Sequence, residues 1–355
     1  MKTRAGAVAG VIVGLTIGLS VAGAAAPAAG PASQPAPAPQ PPPRELPPLQ
    51  LVQRIPVPNV SGRIDHFTVN PKARLLIFSA LGNNTVEIAN TFDARVVQHL
   101  TGLKEPQGAL YVPGFDKIFV ANAGNRSVSI FDAKTFALRK TIVLGEDPDN
   151  LRWDEASKRV FVGYGEDGTG AVAMIDPATE THVGKDLKTG GGHPESFQLE
   201  KKGSRIFVNV PADADAVEVL DRKDGKLTKW SLNGAKANFP MALDEDSHRL
   251  FVITRRPPLL IVLDTDTGKE VARLPTVAAS DDVYYDAERK RIYVIGGEGF
   301  IRVFQQSDPN RYQMKADIPT AVGVRTGLFF GTNLYVGVPA AGSEPAQLWA
   351  YAIPD

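Results

Sequence analysis

The sequence predicts an all-β domain, a seven-bladed β-propeller that spans residues 49–355. The first observation is an internal repeat of 42 to 46 residues, a length that suits a unit of four short strands. The second is the make-up of each unit, in which β-branched and aromatic runs alternate with turn residues. The third is that seven copies of the unit can be aligned along the chain. These observations predict a ring of seven four-stranded blades.

One apolar position recurs once in every unit and sets the alignment. The aligned residues are Leu76, Ile118, Val160, Ile206, Leu250, Ile292 and Leu334. In the second unit, residues 117–120 (KIFV) and 127–131 (SVSIF) have strand length, and the turn residues Gly124 and Asn125 separate them. No helical periodicity is visible in these runs.

An aspartate follows the third strand-like run in four of the units. These residues are Asp132, Asp176, Asp221 and Asp264. A turn sequence comes directly after each, and an aspartate at such a place can accept hydrogen bonds from backbone N–H groups two or three residues later. We therefore predict that the four aspartates have a structural role and fix the turn into the outer strand.

The seventh copy stops after three strand-like runs, so its fourth strand has to come from elsewhere in the chain. An open sheet edge would leave a row of unpaired backbone groups. Residues 49–57 (LQLVQRIPV) precede the first unit and have a strand-like pattern. We predict that they pair beside residues 347–353 and close the ring by interleaving the two ends of the domain.

The second unit also carries a motif with a resemblance to a known family. Residues 118–122 (IFVAN) and 125–132 (NRSVSIFD) resemble the YVTN-repeat propeller family, and residues 159–162 (RVFV) and 291–294 (RIYV) are weaker copies. The resemblance covers residues 49–355. It implies a propeller fold shared by binding proteins, surface-layer components and periplasmic proteins, and it transfers no reaction to this chain.

The first 24 residues have the pattern of an export signal. Lys2 and Arg4 precede an uncharged stretch over residues 5–26, in which a small-x-small pattern ends at Ala24. We predict cleavage after Ala24 and a periplasmic or secreted protein; the alternative is an uncleaved membrane anchor. Residues 25–48 are rich in proline and alanine and are predicted to form a disordered linker.

The composition argues against several classes of function. Lysine plus arginine and aspartate plus glutamate both number 39, so no global positive field favours binding to nucleic acid or to an anionic membrane. The sequence contains no cysteine, which excludes disulfides, thiolate metal sites and thiol nucleophiles. We expect a monomer whose partner is a small molecule or a protein, with membrane contact only through a retained N-terminal anchor.

Polar residues recur where the innermost strand of each unit begins. In a propeller these strands line the central channel, so we predict that the side chains surround one mouth of the channel and bind a ligand there. The candidate residues are Arg63, Asp65, His66, Gln107, Asp149, Asn150, His193, Glu195, Asp281, Asp282 and Arg325. Four equivalent positions carry the ring carboxylates, which are Asp65, Asp149, Glu195 and Asp281.

Three interpretations of this mouth stay open. In the first, an acidic mouth holds a small ligand or a protein partner, and the ring carboxylates can supply oxygen ligands to a divalent cation such as Ca²⁺. In the second, a metal-dependent lactonase or related hydrolase uses His66 or His193 as a general base, with Arg63 or Arg325 stabilising negative charge. In the third, the groups only hydrogen-bond to neighbouring blades and channel water. The nucleophile motif Gly-x-Ser-x-Gly does not occur, so no Ser-His-Asp arrangement is recognisable. The preferred hypothesis is a non-enzymatic binding protein.

Overall fold

The computed structural model describes residues 46–211 and 216–354, together with residues 10, 14, 16–20, 22 and 23. The predicted cleavage site at Ala24 and residues 25–45 of the predicted linker lie outside the described residues. Within the described part of the chain, no helix is long and apolar enough to cross a membrane. Leu46–Asp355 forms a compact unit by itself.

In the described residues, 28 strands form seven antiparallel sheets of four strands each. Blade 1 contains β2 (Phe67–Asn70), β3 (Leu75–Ala80), β4 (Thr85–Asn90) and β5 (Arg95–Leu100). Blade 2 contains β6 (Pro106–Val112), β7 (Lys117–Asn122), β8 (Ser127–Asp132) and β9 (Leu138–Val143). Blade 3 contains β10 (Pro148–Asp154), β11 (Arg159–Tyr164), β12 (Ala171–Asp176) and β13 (Thr181–Lys188). Blade 4 contains β14 (Ser196–Leu199), β15 (Arg205–Asn209), β16 (Ala216–Asp221) and β17 (Leu227–Ser231).

The remaining blades follow the same plan. Blade 5 contains β18 (Lys236–Asp244), β19 (Arg249–Arg256), β20 (Pro258–Asp264) and β21 (Glu270–Pro275). Blade 6 contains β22 (Ser280–Asp286), β23 (Arg291–Gly296), β24 (Phe300–Asp308) and β25 (Arg311–Pro319). Blade 7 contains β26 (Gly327–Phe330), β27 (Asn333–Val338) and β28 (Ala346–Ala352), with β1 (Gln50–Val57) as its outermost strand. Two short 3₁₀ turns, Leu81–Asn83 and Ala123–Asn125, join second and third strands. The predicted seven-bladed propeller is confirmed.

Strand β1 closes the ring as the sequence predicts. It runs antiparallel to β28, with Gln50 opposite Ala352 and Val57 opposite Ala346. Ile55 and Val57 have no solvent exposure, so this strand contributes apolar burial as well as backbone hydrogen bonds. The first strand of the domain therefore completes the last blade.

The core lies between neighbouring blades. The seven repeat-marking residues all lie in the second strand of their blades and are fully buried. Phe119 and Ile130 of blade 2, for example, pack in one cluster with Val160 and Ile175 of blade 3. Second strands are covered on both faces and have continuous apolar runs, whereas the outer strand β9 is mostly exposed.

The recurrent aspartates fix the turns that follow the third strands. Oδ1 of Asp132 accepts hydrogen bonds from the backbone N–H groups of Lys134 at 2.9 Å and Thr135 at 2.8 Å. Asp176, Asp221 and Asp264 accept equivalent backbone hydrogen bonds. The predicted structural role of these four residues is confirmed.

The innermost strands line a central channel. A cavity of about 370 Å³ lies among them, and its lining residues come from all seven blades. They include Thr68, Ala109, Leu151, Gln198, Met241, Val283 and Leu328. The start of each innermost strand consequently faces one end of the channel, which we call the mouth.

Candidate functional site

The mouth brings together side chains from segments that lie far apart in the sequence. Asp65 and His66 immediately precede β2, and Glu195 immediately precedes β14. Asp149 and Asn150 lie at the start of β10, Asp281 and Asp282 lie at the start of β22, and Arg325 lies before β26. The backbone reinforces this arrangement, since the N–H groups of Asp281 and Asp282 both donate to the carbonyl oxygen of Arg325.

Ion pairs join blades 1, 6 and 7 at the mouth. Nη2 of Arg63 lies 3.0 Å from Oδ2 of Asp65 and 3.8 Å from Oδ2 of Asp281. Nη1 of Arg325 lies 3.5 Å from the same oxygen of Asp281. One buried carboxylate is therefore shared by arginines from two different blades.

His66 lies among three carboxylates. Its Nδ1 is 3.4 Å from Oδ1 of Asp282, and its Nε2 is 3.8 Å from Asp65 and 3.9 Å from Asp149. Although burial opposes the charged ring, Asp282 and Asp65 raise the pKa of His66 to about 10. The amide nitrogen of Asn150, 3.1 Å from Nε2, favours a ring with no proton at that atom. The three carboxylates outweigh this neutral contact, because charge–charge interactions in a buried site are the stronger effect.

His193 lies at the junction of blades 3 and 4. Its Nδ1 is 2.6 Å from the carbonyl oxygen of Gly165, and its Nε2 is 3.8 Å from Oδ2 of Asp149. One ligand atom from each of Asp149, His193 and Glu195 lies within 4.8 Å of the others. These three candidate residues form the most compact group of possible metal ligands in the described part of the chain.

Burial and neighbouring charges shift several pKa values at the mouth. Burial raises the pKa of Asp65 to about 6, and burial together with Asp149 raises that of Glu195 to about 8. Burial opposes charge on His193, but the contact with Asp149 raises its pKa to about 9. Burial also opposes charge on Asp149, yet the contacts with His193 and His66 hold its pKa below the usual range. At neutral pH the cluster therefore retains protons on both histidines.

Some of the predicted site residues also bind neighbouring blades. The side chain of Gln107 donates to Oδ1 of Asp147 at 3.0 Å. That of Asn150 donates to the backbone carbonyl of Glu195 at 2.5 Å, and Oδ2 of Asp282 accepts from the backbone N–H of Gly327 at 2.9 Å. These contacts join blades 2 to 3, 3 to 4 and 6 to 7, and they give the three residues a structural role.

Two arginines at the mouth were not found by sequence reasoning. Arg255 lies near the end of β19 and donates to Asp281 and to the carbonyl oxygen of Ser280. Its guanidinium carbon lies 3.4 Å from the ring centre of Phe239. Arg152 lies inside β10 and lines the channel. The alignment examined only the positions where innermost strands begin. A signal for Arg255 was available, since a charged residue at the channel end of a second strand breaks its apolar pattern.

The charges of the mouth are arranged in depth. The arginines are more accessible than the three aspartates of the ring, which are buried. Side-chain exposure is 41% for Arg63, 31% for Arg325 and 21% for Arg255, against 0% for Asp65, 5% for Asp149 and 6% for Asp281. The mouth thus contains the expected carboxylates, but its arginine side chains are more exposed to solvent than Asp65, Asp149 and Asp281.

The fold and this site define a seven-bladed β-propeller with a cluster of charged residues at one mouth of its channel. No family model matches the chain. It is 24% identical over 205 residues to the uncharacterised protein YncE of Salmonella typhi, and equally so to that of Salmonella typhimurium. Each match covers 54% of this chain and 56% of the relative, so the chain spans about half the length of the curated relatives it matches. The relationship to this YncE-like propeller is distant.

Solved structures show the same fold at low sequence identity. A chain of Kuenenia stuttgartiensis hydrazine synthase has a TM-score of 0.70 and 17% identity, covering 78% of this chain and 93% of that chain. A chain of a mitotic checkpoint complex has a TM-score of 0.71 and 15% identity, covering 93% of this chain and 99% of that chain. These similarities concern the propeller architecture alone.

Proposed function

We propose that this chain is an exported, YVTN-type binding protein that holds a small anionic ligand, with carboxylate or phosphate groups, at the mouth of its channel. One observation carries the proposal: Arg63, Arg255 and Arg325 converge on the single carboxylate of Asp281 while their side chains remain 41%, 21% and 31% exposed. A guanidinium has five N–H donors, and one carboxylate has only two oxygens to accept them. Donors therefore remain for an incoming anion.

The chemistry of arginine makes an oxyanion the best-suited ligand. The planar guanidinium matches carboxylate and phosphate oxygens in pairs of parallel hydrogen bonds. A ligand entering the mouth meets Arg63 and Arg325 before it reaches the buried carboxylates. Asp281 also lines the channel cavity of about 370 Å³, whose volume lies in the size range of small-molecule sites.

The alternative hydrolase is less well supported. A general base must be unprotonated before it can accept a proton from a nucleophile. The pKa values of His66 and His193 are raised to about 10 and about 9, so neither ring is free to act in this way at neutral pH. Binding without catalysis agrees better with these two groups.

Export and the YVTN assignment rest on the sequence. The basic start, uncharged stretch and small-residue site that ends at Ala24 support export. The motif over residues 118–132 supports the YVTN type, and the distant similarity to YncE is in keeping with it. Protein recovered from the periplasm should have the intact mass of a chain that begins at Ala25. A mass that includes residues 1–24 would favour the membrane anchor.

Calorimetric titration of metal-free protein with citrate and with inorganic phosphate, at constant ionic strength, tests the binding proposal. We expect Arg325→Gln to weaken binding of the better probe roughly tenfold or more, because a hydrogen bond to a charged group contributes about 1.5–3 kcal/mol. Arg139→Gln is the matched control, since Arg139 lies on β9 and pairs with Glu180 away from the mouth. Equal affinities in the wild type and Arg325→Gln, or no binding of either probe, would contradict the proposal.

A further inference from the structure

We propose that Asp149, His193 and Glu195 form a binding site for a divalent transition-metal ion at the junction of blades 3 and 4. Asp149 belongs to β10, while His193 and Glu195 lie in the connection that leads into β14. One ligand atom from each residue lies within 4.8 Å of the other two. The proposed anion site uses different side chains, so either proposal can fail without the other.

The orientation of His193 suits metal binding. A carbonyl oxygen can only accept a hydrogen bond, so the 2.6 Å contact with Gly165 places a proton on Nδ1. Nε2 is the atom that faces Asp149. Metal-binding histidines usually donate their second ring N–H to a carbonyl or carboxylate, which fixes the ring and leaves the other nitrogen for the metal. Gly165 supplies this supporting contact here, and a bound metal ion would replace the proton that Nε2 carries at neutral pH.

The burial and hydrogen bonding of the Asp149 side chain also point to a bound ion. The residue is 3% exposed, and within the described part of the chain its Oδ1 accepts no hydrogen bond. Oδ1 lies 3.9 Å from Nε2 of His66, and Oδ2 lies 3.8 Å from Nε2 of His193; both distances are beyond hydrogen-bond length. A buried carboxylate oxygen without a hydrogen-bond donor is costly, even though the two histidine rings compensate the charge of Asp149. A cation coordinated by both oxygens of Asp149 would supply the missing interaction.

The donor set indicates which class of ion fits. Imidazole nitrogen with two carboxylates suits Zn²⁺ and similar ions, whereas Ca²⁺ takes six to eight oxygen ligands. Zn²⁺ bonds of about 2.0–2.2 Å require the donors to approach within roughly 3.5 Å of one another. The partly exposed side chain of Glu195 can move to provide this contraction. The structure therefore favours a transition-metal ion over the Ca²⁺ expected from the ring carboxylates.

Zinc titration of chelator-treated, full-length protein tests the site. We expect Zn²⁺ to bind and to raise the melting temperature, because an ion that binds only the folded state stabilises it by mass action. Glu195→Gln and His193→Gln should each weaken Zn²⁺ binding roughly tenfold or more. His248→Gln is the matched control, since that ring pairs with Asp266 on the surface. Circular dichroism at low temperature establishes that each variant is folded.

Co²⁺ is a second probe of the site, and it requires no variant. Its visible absorption in the wild-type protein should show the coordination of one imidazole nitrogen and carboxylate oxygens at low coordination number, and Zn²⁺ should displace it. The proposal is overturned if Glu195→Gln binds Zn²⁺ as tightly as the wild type does. It is also overturned if Ca²⁺ stabilises the protein as much as Zn²⁺, or if Co²⁺ gives only the spectrum of the hydrated ion. Anion binding by metal-free protein, measured separately, shows whether the mouth functions independently.

Discussion

At the scale of single residues, depth below the surface decides what each charged group of the mouth can do. Asp281 is nearly buried and forms ion pairs with three arginines, so it holds these long side chains in place. Burial opposes charge on Arg63, but Asp65 and Asp281 raise its pKa further above its already high value. Arg63 therefore stays cationic and accessible, as an anion-binding residue must.

The turn aspartates give a prediction with a defined pH dependence. Partial burial raises the pKa of Asp264, but hydrogen bonds from the hydroxyl and backbone N–H of Thr267 lower it overall. A lowered pKa in the folded state stabilises the protein above the unfolded value of about 3.9, and this contribution is lost as the pH falls through the lowered pKa. Asp264→Ala should therefore cost about 1–3 kcal/mol at neutral pH and less in acid.

Urea denaturation of the wild type and Asp264→Ala across this pH range measures the effect. Asp246→Ala is the control, because Asp246 is an exposed residue that pairs with Lys202 at the surface. It should change the free energy of unfolding little at any pH. A difference between the wild type and Asp264→Ala that stayed constant from neutral pH to about pH 2 would show that the carboxylate charge has no part in the turn.

At the scale of elements, the pairing of β1 with β28 should control the stability of the whole ring. Ile55→Ala removes a fully buried side chain from β1 and should lower the free energy of unfolding by about 2–5 kcal/mol. Val52→Ala, on the same strand but 59% exposed, should stay within about 0.5 kcal/mol of the wild type. Deletion of residues 49–57 should lower the melting temperature strongly, and an unchanged melting temperature would refute ring closure by this strand.

Regular elements could be predicted from the sequence because their causes are local and repeated. Each second strand is covered by neighbouring blades on both faces, so a single buried position such as Ile118 or Val160 recurs at the blade period. The turn aspartates recur for the same reason. In blade 1 the equivalent position is Asn90, whose side-chain oxygen accepts from the backbone of Phe92 and Asp93. That residue was missed because the alignment followed one residue type and not the hydrogen bond it makes.

At the scale of the whole molecule, the ring gathers distant segments around one opening, and this much of the site could be predicted from the blade register. The sequence placed Asp65, Asp149 and Asp281 at equivalent positions, and the structure brings all three to the mouth. Their depth could not be predicted, because it depends on side-chain length and packing. A short aspartate stays near the backbone, whereas a long arginine such as Arg255 reaches the mouth from a second strand.

The central claim is that the arginines of the mouth bind an anion over the buried carboxylates. A crystal structure of the protein with bound citrate or phosphate tests it most directly. We expect anion oxygens about 2.7–2.9 Å from guanidinium nitrogens of Arg63, Arg255 or Arg325, with Asp281 still beneath them. An anion bound elsewhere, with these three arginines unchanged around Asp281, would contradict it.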